Sequence, residues 1–333
     1  MDGSFEALRM HRGEAGPTLS LDRIGPSDVP EGEVTIRTLW SSLNYKDALI
    51  LAGRGGDIAA YPHVAGIDLS GVVEPPGTPD LPPGTPVLAT GASVGERLWG
   101  GYAGLARLPA DRILPIPDGL HPRTAMILGT AGLTAMLAIE AFDAAGARPG
   151  EGTALVTGAG GGVGTIAVML LSALGWPVVA VEKRPDAAQA LARIGAASIL
   201  GPDGLADRSR PPVGEALWQV AVDTVGGPVL ADVLRSTARH GVVAACGMVA
   251  GFDVPLNLHP FFGRAIRLVG IDSVNAERGL RERCWARLAG LAPGLPLAGI
   301  AEEIALADVQ ARAERLLSAG VTGRIVVRIG AAG

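Results

Sequence analysis

The sequence predicts an α/β protein in which a doubly wound parallel sheet is inserted into a partly open barrel of short β-strands. Residues 1–120 are rich in short β-runs, proline and glycine, as in VTIRTLW (34–40) and TPVLATG (85–91), which is typical of a barrel. From Thr124, helical runs begin (TAMILGTAGLTAMLAIEAF), and apolar strands then alternate with amphipathic helices. That alternation predicts a parallel sheet covered on both faces.

The predicted parallel sheet has six strands, all between residues 154 and 273. They are ALVTG (154–158), PVVAVE (177–182), ASIL (197–200), VAVDTVG (220–226), VVAACG (242–247) and IRLVGIDS (266–273). After about Ala276 the chain adds two helices and two strands, too few for a domain, so this tail is expected to rejoin the barrel. The predicted domains are residues 1–124 with 290–333, and residues 125–289.

Composition and charge exclude several classes of function. The chain has 333 residues, of which 48% are hydrophobic and 18% charged, and its net charge is −5 without any basic block. Nucleic acid is therefore not an expected partner. Cys246 and Cys284 lie far apart and without metal-ligand spacing, which suits a reducing compartment.

The chain is expected to be cytoplasmic and without a membrane partner. Its N-terminus lacks the apolar core of a secretory signal. The uncharged stretch 163–181 approaches the length of a membrane span, but Gly175 and Pro177 divide it into a helix and a strand.

The most informative motif is TALVTGAGGGVG (153–164), in which an apolar strand passes through a glycine turn into an apolar helix. This order is typical of the phosphate-binding start of a Rossmann dinucleotide-binding unit. Glycine lets the backbone approach a pyrophosphate, and the helix N-terminus offers unpaired N–H groups to the anion. The spacing is Ala159-x-Gly161-x-x-Gly164, a common variant of the fingerprint.

Three residues after the second strand give opposing indications about the cofactor. Glu182 lies 18 residues beyond Gly164, where a carboxylate usually binds the adenosine ribose and repels a 2′-phosphate. Lys183 and Arg184 follow and favour a phosphate. NADPH and NADH therefore both remain open.

No metal site is expected. Zinc dehydrogenases of this architecture carry Cys and His ligands in the barrel domain and a G-H-E turn, whereas this chain has GID at 66–68 and no cysteine before Cys246. His11, His63 and His121 are isolated and lack ligand spacing. Carbonyl reduction by a zinc Lewis acid is disfavoured, while hydride transfer to a conjugated C=C bond needs no metal.

Eight motifs occur in order along the chain. They are SLNYKDAL (42–49), GIDLSGVV (66–73), WGGYA (99–103), GTAGLTAM (129–136), VTGAGGGVG (156–164), DTVGG (223–227), ACG (245–247) and GRIVV (323–327). Together they resemble the zinc-free branch of the medium-chain dehydrogenase/reductases over essentially the whole chain. Within that branch the chain is most similar to the acrylyl-CoA reductase group of quinone-oxidoreductase-like proteins.

The resemblance implies a GroES-like domain, an inserted Rossmann domain and NADPH-dependent reduction of a short 2-enoyl-CoA. Tyr45 would lie beside the nicotinamide. The pyrophosphate would be held by Gly160, Gly161, Gly162 and Val163. The 2′-phosphate would face Lys183 and Arg184. The other expected cofactor contacts are Thr224, Cys246, Met248, Ser273 and Arg324. Glu182 departs from the pattern, since an NADPH enzyme is expected to carry a small residue there, so NADH stays possible.

Tyr45 and Asn44 are the candidate catalytic residues. The Tyr45 phenol could protonate the α-carbon or hydrogen-bond the thioester carbonyl; the alternative is that it positions the substrate while water gives the proton. Asn44 and Asp47 are expected to fix their loop through backbone hydrogen bonds. Cys246 is expected to be a packed small residue rather than a nucleophile.

Several functions remain open beside reduction of a short enoyl-CoA. One is a tailoring reductase for a carrier-bound or natural-product intermediate, another is quinone or enone reduction, and a third is a cofactor-binding protein without turnover. Members of the resembling family are usually oligomers, so a homodimer or higher homo-oligomer is expected, with IRLVGIDS as a possible edge strand.

Overall fold

The computed structural model describes residues 3–14, 16–209 and 212–330. The chain forms two compact units. The first contains the chain up to Leu133, Ser273–Ala289 and the chain from Leu297, and the second contains Thr134–Asp272 and Gly290–Pro296. The predicted boundaries at 124/125 and 289/290 stay a prediction; the first unit takes up Ser273–Ala289.

Both units are built from short strands and from α-helices of 6 to 23 residues. The strands, in chain order, are β1 (Phe5–His11), β2 (Thr18–Ile24), β3 (Val34–Leu43), β4 (His63–Val64), β5 (Asp68–Val73), β6 (Pro86–Thr90), β7 (Leu105–Leu108), β8 (Leu114–Pro115), β9 (Ala154–Thr157), β10 (Val178–Val181), β11 (Ala196–Leu200), β12 (Trp218–Asp223), β13 (Thr237–Ala245), β14 (Arg267–Gly270), β15 (Ala301–Ala305) and β16 (Arg324–Arg328). The α-helices are α1 (Tyr45–Leu51), α2 (Pro122–Ala144), α3 (Gly162–Ala173), α4 (Pro185–Arg193), α5 (Pro202–Arg208), α6 (Gly227–Arg235), α7 (His259–Arg264), α8 (Arg278–Leu291) and α9 (Val309–Ala319).

The first unit is rich in strands, as its sequence predicts. One sheet has the order β2-β1-β4, and the larger one has the order β15-β16-β3-β5-β6-β8, with β7 also paired to β3. Val34 and Ile36 of β3 are fully buried in one apolar cluster, while Leu43 of the same strand joins a second cluster with α1 and β16. β3 therefore runs through the middle of this unit.

The second unit is a six-stranded sheet of order β11-β10-β9-β12-β13-β14 in which every neighbouring pair is parallel. Central strand β9 is buried along its whole length, as expected of a strand covered on both faces. Residues 163–181 form most of α3 and then β10, as predicted. The predicted fold class is confirmed.

Helix α2 is apolar and long enough to cross a membrane by length and composition, but 83% of its most apolar window is buried inside the protein. Core helices pass the same test. The predicted helical run is also interrupted, because Gly129 has φ 53° and ψ −155°. α2 therefore consists of two helical segments that meet at Gly129.

Two charged side chains face this break. A Cβ atom on Gly129 would lie 2.5 Å from Asp68 Oδ2 and 2.9 Å from Arg324 Nη2. Arg324 donates to the carbonyls of Met126 and Ile127, which end the first segment. Asp68 accepts from the N–H of Thr130, which begins the second. A cation thus lies at a helix C-terminus and an anion at a helix N-terminus, where each is stabilised by the helix dipole.

Replacing Gly129 by alanine should destabilise the protein by about 2 kcal/mol or more, because the positive φ and the close carboxylate both oppose a Cβ atom. Urea unfolding would measure the loss. The matched control is Gly290→Ala in α8, where a Cβ meets no atom within 4 Å; it should be neutral or stabilising by up to about 1 kcal/mol. Equal stability of the two variants would contradict the argument that residue 129 must lack a Cβ atom.

Candidate active site

The glycine loop of the second unit joins β9 to α3. Gly158 has φ 56°, which suits glycine, and a Cβ on Gly164 would lie 2.4 Å from the Gly158 carbonyl oxygen. α3 can therefore pack against the loop only because residue 164 lacks a side chain. This is the close strand-to-helix turn that a dinucleotide fingerprint requires.

The start of α3 fits a pyrophosphate. Gly161 is its N-cap, and the N–H groups of Gly162 and Val163 belong to its first turn, which has no acceptor within the helix. Gly162 and Val163 could hold an anion at the positive end of the helix dipole. Gly160 and Gly161 differ, because the Gly160 N–H already donates to Glu182 Oε2 at 3.0 Å and the Gly161 N–H donates to the Gly158 carbonyl oxygen at 2.9 Å.

Glu182 and Arg184 form an ion pair beside the glycine loop. Arg184 Nε lies 3.2 Å from Glu182 Oε1, and Arg184 Nη2 lies 3.3 Å from Oε2. Partial burial acts to raise the pKa of Glu182, but the hydrogen bonds and charge of Arg184 and the N–H of Lys183 hold it below its ordinary value. Lys183 is exposed. The three predicted residues are thus brought together at the end of β10.

Thr224 and Cys246 lie at the ends of β12 and β13. Thr224 Oγ1 donates to the Thr157 carbonyl, and Cys246 Sγ lies 3.4 Å from the Asp223 carbonyl oxygen. Burial, with the nearby Asp223, raises the pKa of Cys246 to about 12. A thiol with so high a pKa is a poor nucleophile, in keeping with the predicted packed residue.

Met248 is 55% exposed, and its contact with the cofactor stays a prediction. Sequence reasoning missed Asp223 itself, which is fully buried and accepts hydrogen bonds from Thr157 Oγ1 at 2.6 Å and Gly226 N at 2.8 Å. Its burial raises its pKa. Asp223 joins the ends of β9 and β12, and the motif DTVGG is the signal that could have pointed to it.

In the first unit, Asn44 is the N-cap of α1 and Tyr45 is its first residue. The Tyr45 side chain is 42% exposed. Asn44 N donates to Asp47 Oδ2 at 2.8 Å, and Ile67 N donates to Asp47 Oδ1 at 2.8 Å. The predicted role of Asn44 and Asp47 in fixing this loop is confirmed, and Tyr45 begins a helix whose first turn is anchored.

The amide of Asn44 is held on both sides. Its Nδ2 donates to Ser42 Oγ at 3.0 Å, Asp47 Oδ2 at 3.1 Å and Asp68 Oδ2 at 2.9 Å, and its Oδ1 accepts from Arg324 Nη1 at 2.9 Å. These bonds fix the orientation of the amide, because only Nδ2 can donate and only Oδ1 can accept. Asn44 therefore links two carboxylates to a guanidinium.

Asp68 is the centre of this buried network and was not among the predicted site residues. It is fully buried and accepts hydrogen bonds from Ser42 Oγ at 2.5 Å, Asn44 Nδ2 at 2.9 Å and Thr130 Oγ1 at 2.6 Å, besides the Thr130 N–H. A buried charge needs such a set of donors. The motifs NYKD, GIDLSG, GTAGLTAM and GRIVV all contribute to the network, and their co-occurrence was the available signal.

Arg324, predicted to contact the cofactor, is 3% exposed and donates to Ile127, Met126 and Asn44 within the first unit. Burial lowers its pKa, against the opposing charges of Asp68 and Asp47. Ser273 is half-buried, with its carbonyl oxygen near Gly91. Cofactor contacts by Arg324 and Ser273 stay predictions. Within the described ranges, no three His, Cys, Asp or Glu side chains converge as a metal site.

Two family models match the chain: the alcohol dehydrogenase GroES-like domain over residues 30–118, and the zinc-binding dehydrogenase over residues 162–288. The probable acrylyl-CoA reductase AcuI of Escherichia coli is 42% identical over 325 residues, which is 98% of this chain and all of that protein. The chain belongs to the medium-chain dehydrogenase/reductase family. It is an oxidoreductase of that family.

Two solved structures of medium-chain dehydrogenase/reductases match the whole fold. The yhdH oxidoreductase of Salmonella enterica, in complex with NADP, is 43% identical with a TM-score of 0.93 and covers 98% of this chain and 100% of its own. The yhfP protein of Bacillus subtilis, with NAD bound, is 33% identical with a TM-score of 0.93 and covers 98% and 99%. Similar proteins of this fold thus bind either dinucleotide.

The buried Asp47 should make stability depend on pH. Burial, with the charge of Asp68, raises its pKa from 3.8 to about 7. The folded state therefore holds a proton that the unfolded state has lost between about pH 4 and 7, and this contribution to stability disappears as the pH rises through 7.

We expect the free energy of unfolding of the wild type to fall between pH 5 and pH 8 relative to that of Asp47→Asn. Urea unfolding at several pH values would measure both curves. Asp80→Asn, an exposed change of the same charge in the same unit, should run parallel to the wild type. If the Asp47→Asn curve ran parallel to the wild-type curve, the pH dependence could not be assigned to Asp47.

Proposed function

We propose that this chain reduces the C=C bond of a short 2-enoyl-CoA thioester such as acrylyl-CoA, with NADPH as cofactor and NADH as a possible substitute. Tyr45 carries the proposal, since this residue is 42% exposed at the start of α1 while the backbone beside it is fixed by Asn44 and Asp47. Support comes from the family and from the name of the E. coli relative.

A nicotinamide cofactor, when bound, would supply the hydride for the β-carbon of the substrate. The N–H groups of Gly162 and Val163 would hold the pyrophosphate. The Tyr45 hydroxyl gives its proton to the α-carbon, so that a C–C single bond results. Its exposure lets solvent return that proton to the phenolate. Asn44 acts as a positioning residue, because its own polar atoms are all engaged.

A screen of substrates with both cofactors would test this function. The protein is expected to oxidise NADPH with acrylyl-CoA or crotonyl-CoA. Faster turnover of carrier-bound or natural-product enoyl groups would favour a tailoring reductase, and turnover of simple quinones would favour quinone reduction. Tight NADPH binding without any acceptor would support a cofactor-binding protein and refute the proposed reaction.

The assembly proposed with this function is a homodimer or a higher homo-oligomer. β14 ends the six-stranded sheet, and Phe252, Phe262 and Leu268 in the same unit are 82%, 71% and 40% exposed. An edge strand, and exposed apolar side chains in the same unit, both favour contact with a second copy. Light scattering on the purified protein would decide, and a monomer would refute the assembly. A cytoplasmic location is also proposed, supported by two free cysteines.

Tyr45→Phe should lower kcat by about 10²–10⁴-fold if the hydroxyl donates the proton, with little change in KM for the cofactor. Steady-state kinetics with crotonyl-CoA would measure both constants. Tyr61→Phe is the matched control, since Tyr61 also lies in the first unit and its ring faces Arg12 at 5.3 Å. Unchanged kcat in Tyr45→Phe would assign proton donation to water and leave Tyr45 a positioning role.

A further inference from the structure

Lys46, the residue next to Tyr45, is one of only two lysines in the chain. The second is Lys183, and the other 26 of the 28 basic residues are arginine. Lys46 is also the second residue of α1, where the positive end of the helix dipole disfavours a cation. A lysine that both the composition and the helix disfavour points to a partner outside the helix.

That partner is Glu96. Lys46 Nζ lies 2.6 Å from Glu96 Oε2, and the Glu96 side chain is 12% exposed while that of Lys46 is 39% exposed. The attraction in such a partly buried ion pair is screened less by solvent than that in an exposed pair. Glu96 lies in the loop 91–98, between β6 and β7. The pair therefore joins this loop to the first turn of α1.

The backbone of the loop 91–98 is strained. Ala92 and Ser93 have φ 53° and 64°, a region that residues other than glycine rarely adopt. Gly91 and Gly95, with φ 61° and 73°, lie on either side of them. Strained backbone of this kind persists only where the surrounding structure holds it, and it clusters at functional sites. The loop therefore depends on contacts from outside itself.

The loop 91–98 and α1 share one buried support, Ile67. The Ile67 N–H donates to Asp47 Oδ1 of α1 at 2.8 Å, and its carbonyl oxygen accepts from Gly91 N at 3.0 Å. A Cβ atom on Gly95 would lie 2.7 Å from the carbonyl carbon of the residue before Ile67, so the loop lies directly against this segment. Ile67 connects the two elements in the interior, and Lys46 connects them at the surface.

We propose that Lys46 is a positioning residue for the proposed reduction: its ion pair with Glu96 holds the strained loop 91–98 against the first turn of α1 and fixes the position from which Tyr45 protonates the substrate. Lys46 acts through the backbone that it shares with Tyr45 and makes no bond to the reacting atoms. The inference rests on the proposed function for the role of Tyr45, whereas the contact between the loop and α1 does not depend on the reaction.

Hydrogen exchange of the full chain, measured by mass spectrometry, tests the contact without turnover. In Lys46→Met, which removes the charge and keeps a long side chain, the backbone amides of α1 and of the loop 91–98 should exchange about threefold faster or more, because the surface connection is lost. Arg97→Met is the matched control. Arg97 lies in the same loop and pairs with Asp57, but the two side chains are 67% and 64% exposed, so exchange in α1 should not change.

Steady-state kinetics with crotonyl-CoA and NADPH tests the effect on Tyr45. Lys46→Met and Glu96→Gln should each lower kcat by about tenfold, because a small displacement of a catalytic group is costly, and should leave KM for NADPH within about twofold. The double variant should be no slower than either single variant, because both changes remove the same contact. Thermal unfolding confirms that each variant is folded.

Unchanged exchange in Lys46→Met, additive losses of kcat in the double variant, or an equal effect of Arg97→Met would overturn the proposal. Faster exchange with unchanged kcat would also overturn it, since the ion pair would then have a structural role alone. If the wild type reduces no enoyl-CoA, the proposed function fails, and the exchange measurement still decides whether Lys46 holds the loop 91–98 against α1.

Discussion

Asp68 is fully buried and accepts hydrogen bonds from Ser42, Asn44 and Thr130. The arrangement of the candidate site in the first unit depends on these hydrogen bonds. A buried carboxylate needs hydrogen-bond donors around it, and a nearby cation stabilises its ionised form further. The break in α2 provides the Thr130 N–H, and Arg324 provides the cation nearby through the Asn44 amide. Asn44 is held by this network and fixes the start of α1. Tyr45, the first residue of that helix, is therefore exposed to solvent at an anchored position.

The second unit also contains two carboxyl groups with little exposure, but their hydrogen-bond partners differ from those of Asp68. Asp223 is buried with neutral donors alone, and burial raises its pKa. Glu182 is surrounded by backbone N–H groups and a guanidinium, and its pKa is held down. The two carboxylates thus have opposite electrostatic character although both close a strand end beside the glycine loop. One serves the internal geometry of the sheet, and the other faces the ribose end of the proposed cofactor.

Features that depend on local pattern could be predicted from the sequence. The parallel strands and the glycine loop follow from apolar runs and glycine spacing within about fifteen residues, and both are confirmed. The break at Gly129 could not be predicted, because its partners Asp68 and Arg324 lie far away in the chain and a glycine inside an apolar helix has no single meaning. The ion pair between Glu182 and Arg184 could not be predicted either, because it depends on which side-chain atoms face each other in the folded chain.

The contacts around Gly129 limit which amino-acid substitutions this chain can tolerate. Residue 129 must lack a side chain because the carboxylate of residue 68 and the guanidinium of residue 324 occupy that space. Loss of either charge alone leaves the other buried at a helix end without its counterpart, which is strongly destabilising. Positions 68, 129 and 324 therefore constrain one another, and a change at one of them is expected to be tolerated only with compensating changes at the other two.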